Sequence, residues 1–163
     1  MQKDSVDRMI ETWADTHPDL DVSPLEVVGR LLLCAHHLQR ALVEELQPLG
    51  LTFADFDVLN TLRRQAEPTG ANPSVLAESA LITTGAMTSR LHRLETAGLV
   101  RKVPDAEDGR SVRVSLTPRG RRLAVRALTK VLAVDENFLA PLTNAQRRQV
   151  AGALRQVLVE FEE

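Results

Sequence analysis

The sequence is poor in the residues that would tie it to redox, zinc or membrane chemistry. It has one cysteine in 163 residues, which excludes an intrachain disulfide and a zinc site built from several thiolates. Aromatic residues make up 3% and tyrosine is absent, so the core must be built from Leu, Val and Ala, which favours helices. No run of about 18 apolar residues predicts a membrane span, and the charged start MQKDSVDRM has no signal-peptide character. We therefore expect a cytoplasmic protein that folds as one compact domain.

The charge of the chain is unevenly distributed. The net charge is −2, and residues 1–82 contain six Lys or Arg against 13 Asp or Glu. Residues 83–122 reverse this balance with nine Lys or Arg against four Asp or Glu. A basic block in an acidic chain is either a solvated face or a surface that binds a polyanion, because neutralising phosphates releases their counterions.

The periodicity of apolar residues predicts a mainly α fold with one small β-hairpin, an α+β arrangement. Helix caps, Pro-start signals and spacing predict helices over 4–16, 24–47, 53–65, 74–80, 84–97 and 118–140, a last helix after Thr143, and strands over 99–103 and 111–116. The middle of this order is a helix-turn-helix followed directly by a hairpin, which is typical of a winged helix-turn-helix. The basic block covers both the second helix and the hairpin, which favours duplex DNA as the partner.

The second helix of such a motif lies in the major groove with its N-terminal residues at the base edges. Met87, Leu91 and Leu94 are expected to hold this helix to the core. The small and hydroxyl residues expected to face DNA, unless a threonine serves only as a helix cap, are Thr83, Thr84, Gly85, Thr88 and Ser89.

The predicted hairpin carries three arginines. Arg110 lies at the turn beside Asp108 and is expected to enter the minor groove, where negative potential is high; the alternative is a solvated turn. Arg101 and Arg113 lie on the strands below the turn, and we count them with the DNA-binding residues.

The segment TTGAMTSRLHRLETAGLVRKVPDAEDGRSVRVSLTPRGRRL resembles the MarR family of winged-helix regulators. The family's wing pattern is matched by Asp105, Asp108, Arg110, Val114, Leu116, Thr117 and Gly120, while Glu107 replaces one of its arginines. The resemblance implies a homodimer that binds a pseudo-palindromic operator. It also implies that residues 48–117 form the DNA-binding region and that 1–47 and 118–163 form a helical dimerisation region.

Within that family the chain is similar to the urate-responsive branch, of the HucR and PecS type. The resemblance implies that Trp13, Asp57 and Arg90 bind a small anionic ligand such as urate, with Lys102 at a position where the branch has an arginine. An aromatic face, an acceptor and a guanidinium suit a flat anionic purine. Lysine supplies charge there but no planar fork.

Other interpretations remain open at this point. Trp13 could only anchor the first helix, Asp57 could form a structural ion pair, and Arg90 could contact phosphate alone. A phenolic or carboxylic acid is an alternative ligand, and oxidation at Cys34 is an alternative signal, although a lone cysteine in LLLCAHH more often is a small buried hydrophobic residue. A winged-helix protein that binds other proteins instead of DNA is a further class. The sequence contains no recognisable nucleophile–base pair, phosphate-binding loop or set of metal ligands. We therefore expect neither an enzyme nor a cofactor.

Overall fold

The structure is a computed structural model that describes residues 2–65, 70–79, 87–105 and 111–162. In these ranges it contains α1 (Ser5–Thr16), α2 (Leu25–Leu46), a 3-10 turn (Gln47–Leu49), α3 (Phe53–Gln65), α4 (Pro73–Ser79), α5 (Met87–Thr96), β1 (Val100–Pro104), β2 (Val112–Leu116), α6 (Pro118–Leu139) and α7 (Asn144–Val159). The fold is mainly helical with one two-stranded antiparallel sheet, as the sequence predicts. None of its described helices combines the length and hydropathy needed to cross a bilayer.

The chain divides into two compact units, Met1–Ala41 and Leu42–Glu163. In the first unit, Val6 of α1 packs against Gly29 of α2, where an added Cβ would lie 3.2 Å from a Val6 methyl carbon. The guanidinium of Arg30 donates to Asp4 at 2.8 Å and to Asp7 at 2.6 Å. These two carboxylates also form the capping box of α1, so Arg30 fixes the start of α1 on α2.

The second unit has a continuous apolar core around α3. Helix α3 packs against α4, α5, α6 and β2. Its buried apolar side chains are Phe56, Val58, Leu59 and Leu62. The elements packed on α3 contribute further buried residues to this core, among them Leu76, Leu91, Leu94, Val114, Ala124, Ala127 and Val131.

Local cap signals set the helix starts in this unit. The hydroxyl of Thr117 accepts from the Gly120 amide at 3.0 Å, and Pro118 occupies the first position of α6, where its missing N–H is harmless. Thr143 and Gln146 form the capping box of α7. The predicted starts of α6 and α7 are thus confirmed.

Several apolar helix faces are not covered within the single chain. Helix α7 has no buried residue, although its face contains Val150, Leu154, Val157 and Leu158. The first half of α2 likewise exposes Val27, Val28, Leu31, Leu32 and Leu33. Cys34 lies in this stretch and is exposed. The prediction that it is a buried hydrophobic residue is therefore wrong for the single chain.

Candidate nucleic-acid interface and ligand-binding residues

Helix α5, the second helix of the predicted helix-turn-helix, is held to the core by one face. Met87, Leu91 and Leu94 are buried, as predicted, and the opposite face presents Thr88 and Ser89 as exposed residues in the first turn. The predicted DNA-binding residues Thr83, Thr84 and Gly85 lie outside the described residues.

An ion pair that the sequence analysis missed anchors the far end of α5. Arg93 donates through Nη2 to Asp55 of α3, a carboxylate that is 1% exposed. The same nitrogen lies 3.3 Å from the hydroxyl of Thr52, which caps α3. Since these residues lie about 40 positions apart, no local pattern indicates the pair. Its effect is to fix the orientation of α5 relative to α3.

The hairpin that follows α5 is extended by a third segment. Strand β1 pairs with β2 from Val100 opposite Leu116 to Pro104 opposite Val112. Ala71 then bridges to Val114 through two backbone hydrogen bonds of 2.8 and 2.9 Å. The hairpin base is therefore tied to the segment before α4, as well as to the end of α5.

The three hairpin arginines have different surroundings. Arg101 is exposed, and its Nε donates to the Ser115 hydroxyl at 3.0 Å. Arg113 is half-buried: Nε donates to Asp105 at 2.7 Å and Nη1 donates to the Gly70 carbonyl at 3.1 Å. Arg113 thus links the hairpin to the segment before α4. Arg110 lies outside the described residues.

A short junction connects α5, the hairpin and α6. Gly98 ends α5 with a φ of +67°, a conformation that glycine adopts at low cost. The backbone of Gly120 in α6 lies directly against Leu99, the residue that follows Gly98, since a Cβ added to Gly120 would lie 1.9 Å from the Leu99 carbonyl oxygen.

The candidate ligand residues occur in both units. Trp13 belongs to the first unit; it is 37% exposed, and its ring lies 5.1 Å from that of His17. Asp57 of α3 is 4% exposed in the second unit. Lys102 of β1 forms an ion pair of 3.2 Å with Glu95 in the last turn of α5.

Among the candidate ligand residues, Arg90 of α5 has a buried guanidinium nitrogen that lacks a partner within the described part of the chain. Its Nη1 is buried and has no hydrogen-bond partner among the described residues, and the same holds for the hydroxyl oxygen of Thr61 on α3. A buried N–H of a guanidinium is costly when unpaired and is normally satisfied by a protein, water or ligand acceptor. Helices α3 and α5 pack against each other, so both atoms belong to packed helices of one core.

Comparison with known proteins agrees with this architecture. The MarR family profile matches residues 49–111. The HTH-type transcriptional regulator PecS of Dickeya dadantii (strain 3937) is 33% identical over 152 residues, which cover 93% of this chain and 92% of PecS. The chain belongs to the MarR family.

Two further proteins add to the comparison. The HTH-type transcriptional repressor Rv2887 of Mycobacterium tuberculosis (strain H37Rv) is 39% identical over 112 residues, covering 69% of this chain and 78% of the repressor. The solved structure of Bordetella bronchiseptica BpsR, whose DNA binding is regulated by 6-hydroxynicotinic acid, matches with a TM-score of 0.73 at 25% identity, covering 82% of this chain and 94% of BpsR.

The MarR assignment confirms two predictions, the winged-helix fold and a role in transcription regulation instead of catalysis. In MarR terms, α5 is the recognition helix and the β1–β2 hairpin is the wing. The role of each DNA- or ligand-binding residue, and the division into a DNA-binding and a dimerisation region, stay predictions.

Proposed function

We propose that this MarR-family protein is a repressor that binds a pseudo-palindromic operator as a homodimer and is released by a small anionic ligand such as urate. The observation that carries the proposal is Arg90: a recognition-helix arginine with a buried, unpaired Nη1 among the described residues. An anionic ligand would satisfy this nitrogen from a position on the helix that reads DNA, so its binding would act directly on operator affinity.

DNA contact is supported by the surface of α5 and the wing. Thr88 and Ser89 present hydroxyl-bearing side chains at the exposed start of α5, and Arg101 presents a cation on β1. Hydroxyls and threonine methyl groups read base edges, and arginine neutralises phosphate. Thr83, Thr84, Gly85, Arg110 and Arg113 complete the proposed contact set.

A homodimer is supported by the uncovered apolar faces of the helices. A monomer that left α7 without one buried residue would expose a large apolar surface, which soluble proteins rarely do. In a twofold dimer, the exposed side chains of α2 and α7 would be buried against a second copy. A twofold dimer also presents two recognition helices to two half-sites.

Urate is favoured by the set of ligand residues. We assign Trp13 as the stacking surface, Asp57 as acceptor, Arg90 as the oxyanion partner and Lys102 as a further cation. Lys102 already has Glu95 as its partner, so a ligand would have to share or replace that ion pair. Because BpsR responds to 6-hydroxynicotinic acid, an aromatic carboxylate is the second ligand class to try.

The test is fluorescence anisotropy of labelled duplex DNA from upstream of the protein's own gene, at fixed salt, with and without urate. Trp13→Ala should keep DNA affinity and lose the urate response. Met9→Ala is the matched control, because Met9 lies one turn earlier on α1 with the same 37% exposure. Urate release that is equal in the wild type and the Trp13 variant would remove Trp13 from the site.

The outcome with other ligands separates the parts of the proposal. Tight DNA binding that urate leaves unchanged but 6-hydroxynicotinate reverses would keep the repressor mechanism and replace the ligand. DNA binding that neither compound affects would contradict the ligand assignment. No affinity for any duplex across a salt series would contradict the DNA-binding function itself.

A further inference from the structure

A cleft in the second unit contains residues that the proposed DNA and ligand contacts do not use. It has a volume of about 340 Å³ and lies between the 3-10 turn and the first three turns of α6. Its lining consists of Pro48, Leu49, Arg119, Arg122, Leu123 and Arg126. Its size falls within the range of small-molecule sites.

Three of the six described lining residues of the cleft are arginines. The three lining arginines are spaced three and four residues apart, so they share one face of α6 within about 10 Å along its axis. Among the residues that the structure describes, none of those lining the cleft is acidic. Arg122 and Arg126 form no hydrogen bond or ion pair with any residue in the described ranges.

Other cations of this unit behave differently. Arg147 forms two hydrogen bonds of 2.8 Å with Glu136, and Lys130, one turn beyond Arg126 on α6, pairs with Glu45. The same helix thus pairs one cation with a carboxylate and leaves a cluster of like charges around a cavity. Like charges at these spacings repel each other, and a bound anion would remove that cost.

One of the three arginines is held in position. Nη1 of Arg119 donates to the carbonyl oxygen of Ala97 at 3.1 Å, directly after the end of α5. This bond fixes the guanidinium at one end of the cleft and leaves its other N–H groups to donate elsewhere. Leu49 and Leu123, with the ring of Pro48, supply apolar surface between the charges.

We propose that this cleft binds a phosphate group carried on a small apolar body, such as an aryl or nucleoside phosphate. A phosphate monoester carries close to two negative charges and accepts paired hydrogen bonds from guanidinium forks, whereas a simple carboxylate would neutralise only one of three cations. The backbone phosphate of DNA that flanks the operator is a second source of the same chemistry. None of these lining residues belongs to the proposed urate site, so the inference stands independently of that site.

The direct test is isothermal titration calorimetry of the full chain with phenyl phosphate, and with phenol as the uncharged analogue. We expect one phenyl phosphate per chain and no binding of phenol. Arg122→Gln and Arg126→Gln should each weaken binding about tenfold, as expected for loss of a charge-assisted hydrogen bond. Arg121→Gln is the matched control: the residue is exposed on the same helix and does not line the cleft, so affinity should change less than about twofold.

The same variants on a random-sequence duplex distinguish the two sources of phosphate. Phenyl phosphate binding that depends on Arg122 and Arg126, with unchanged DNA affinity, supports a free ligand. If phenyl phosphate does not bind, but both variants lower DNA affinity and its salt dependence while Arg121→Gln does not, the bound phosphate belongs to DNA. If neither assay responds to Arg122 and Arg126, or if Arg121→Gln has the same effect, the inference is wrong.

Discussion

Arg93 in the last turn of α5 donates to Asp55 in the first turn of α3, so one buried carboxylate serves two helices. Besides Arg93, Asp55 binds the backbone amide of Thr52 at 2.9 Å, and its own amide donates to the Thr52 hydroxyl at 3.2 Å. The start of α3 and the position of the recognition helix therefore depend on the same side chain. This dependence can be measured.

Arg93→Ala should lower the free energy of unfolding by about 1–3 kcal/mol, because it leaves the buried carboxylate without its cation. Asp55→Ala should cost about 1 kcal/mol more, since it also removes the cap of α3. The double variant should cost about as much as Asp55→Ala, because Arg93 has by then lost its partner. Urea unfolding measures all three, with Arg121→Ala as the control; strictly additive losses would contradict the pairing.

Gly120→Ala should destabilise the fold by more than about 3 kcal/mol, because the added methyl group would meet the Leu99 carbonyl oxygen at 1.9 Å. Gly152→Ala adds the same group within α7 at a position with nothing within 4 Å. That control should gain about 0.5–1 kcal/mol from helix propensity. Equal melting temperatures for the two variants would mean that the close contact at Gly120 is absent.

Arg101→Ala should weaken binding to all duplexes to a similar degree, and the slope of log affinity against log salt should fall by about 1. Its only hydrogen bond within the described residues is to Ser115, so the fold should tolerate the change. Arg148→Ala, an exposed arginine on α7, is the control. Arg101 is not a phosphate contact if the two variants give the same salt slope.

Asp135→Asn should stabilise the protein near neutral pH, because burial raises the pKa of the Asp135 carboxyl above its ordinary value of 3.8. Because the pKa of Asp135 is raised in the folded state, its stability contribution is present below pH 3.8 and is lost as the pH rises through the folded-state pKa. The advantage of the Asn variant should therefore grow over that interval, then level off.

Glu136→Gln is the control for that pH dependence, and it should behave in the opposite way. A hydrogen bond from Arg147 lowers the pKa of Glu136 below its ordinary value of 4.5. Its contribution is present above 4.5 and is lost as the pH falls through the folded-state value. Thermal melts from pH 3 to 7 should show that, relative to the wild type, the Asn variant gains stability with rising pH and the Gln variant loses it. Differences from the wild type that have the same sign for both variants would contradict the assignment.

The parts of the fold that the sequence predicts are those encoded locally. Thr117 with Pro118 indicates where α6 begins, Thr143 where α7 begins, and Gly98 where α5 ends, since a cap acts on groups within one helical turn. The inward face of α5 follows equally from the spacing of Met87, Leu91 and Leu94.

The parts that the sequence does not predict depend on residues far apart in the chain. The Arg93–Asp55 pair, the Ala71–Val114 bridge and the Arg113–Gly70 contact each join residues that lie 38 to 43 positions apart. The exposure of Cys34 in the single chain is unpredicted for the same reason, because burial in the apolar stretch of α2 depends on what packs on that helix. The arginine cluster of α6 is visible in the sequence, but only the structure shows that it lines a cleft.

The close contact between Gly120 and Leu99 has a mechanical consequence. Because Gly120 has no side chain, the backbone at the base of the wing contacts the backbone at the start of α6 directly. The angle between the wing and α6 therefore has little freedom to change. In the proposed dimer, α6 would then act as a stiff lever arm of 22 residues, with the DNA-reading hairpin at one end and the dimer-forming region at the other. A small tilt of α6 between the DNA-bound and the ligand-bound dimer would move the two wings through a much larger distance. The half-site spacing that the dimer can bind would therefore be sensitive to slight changes near the dimer axis.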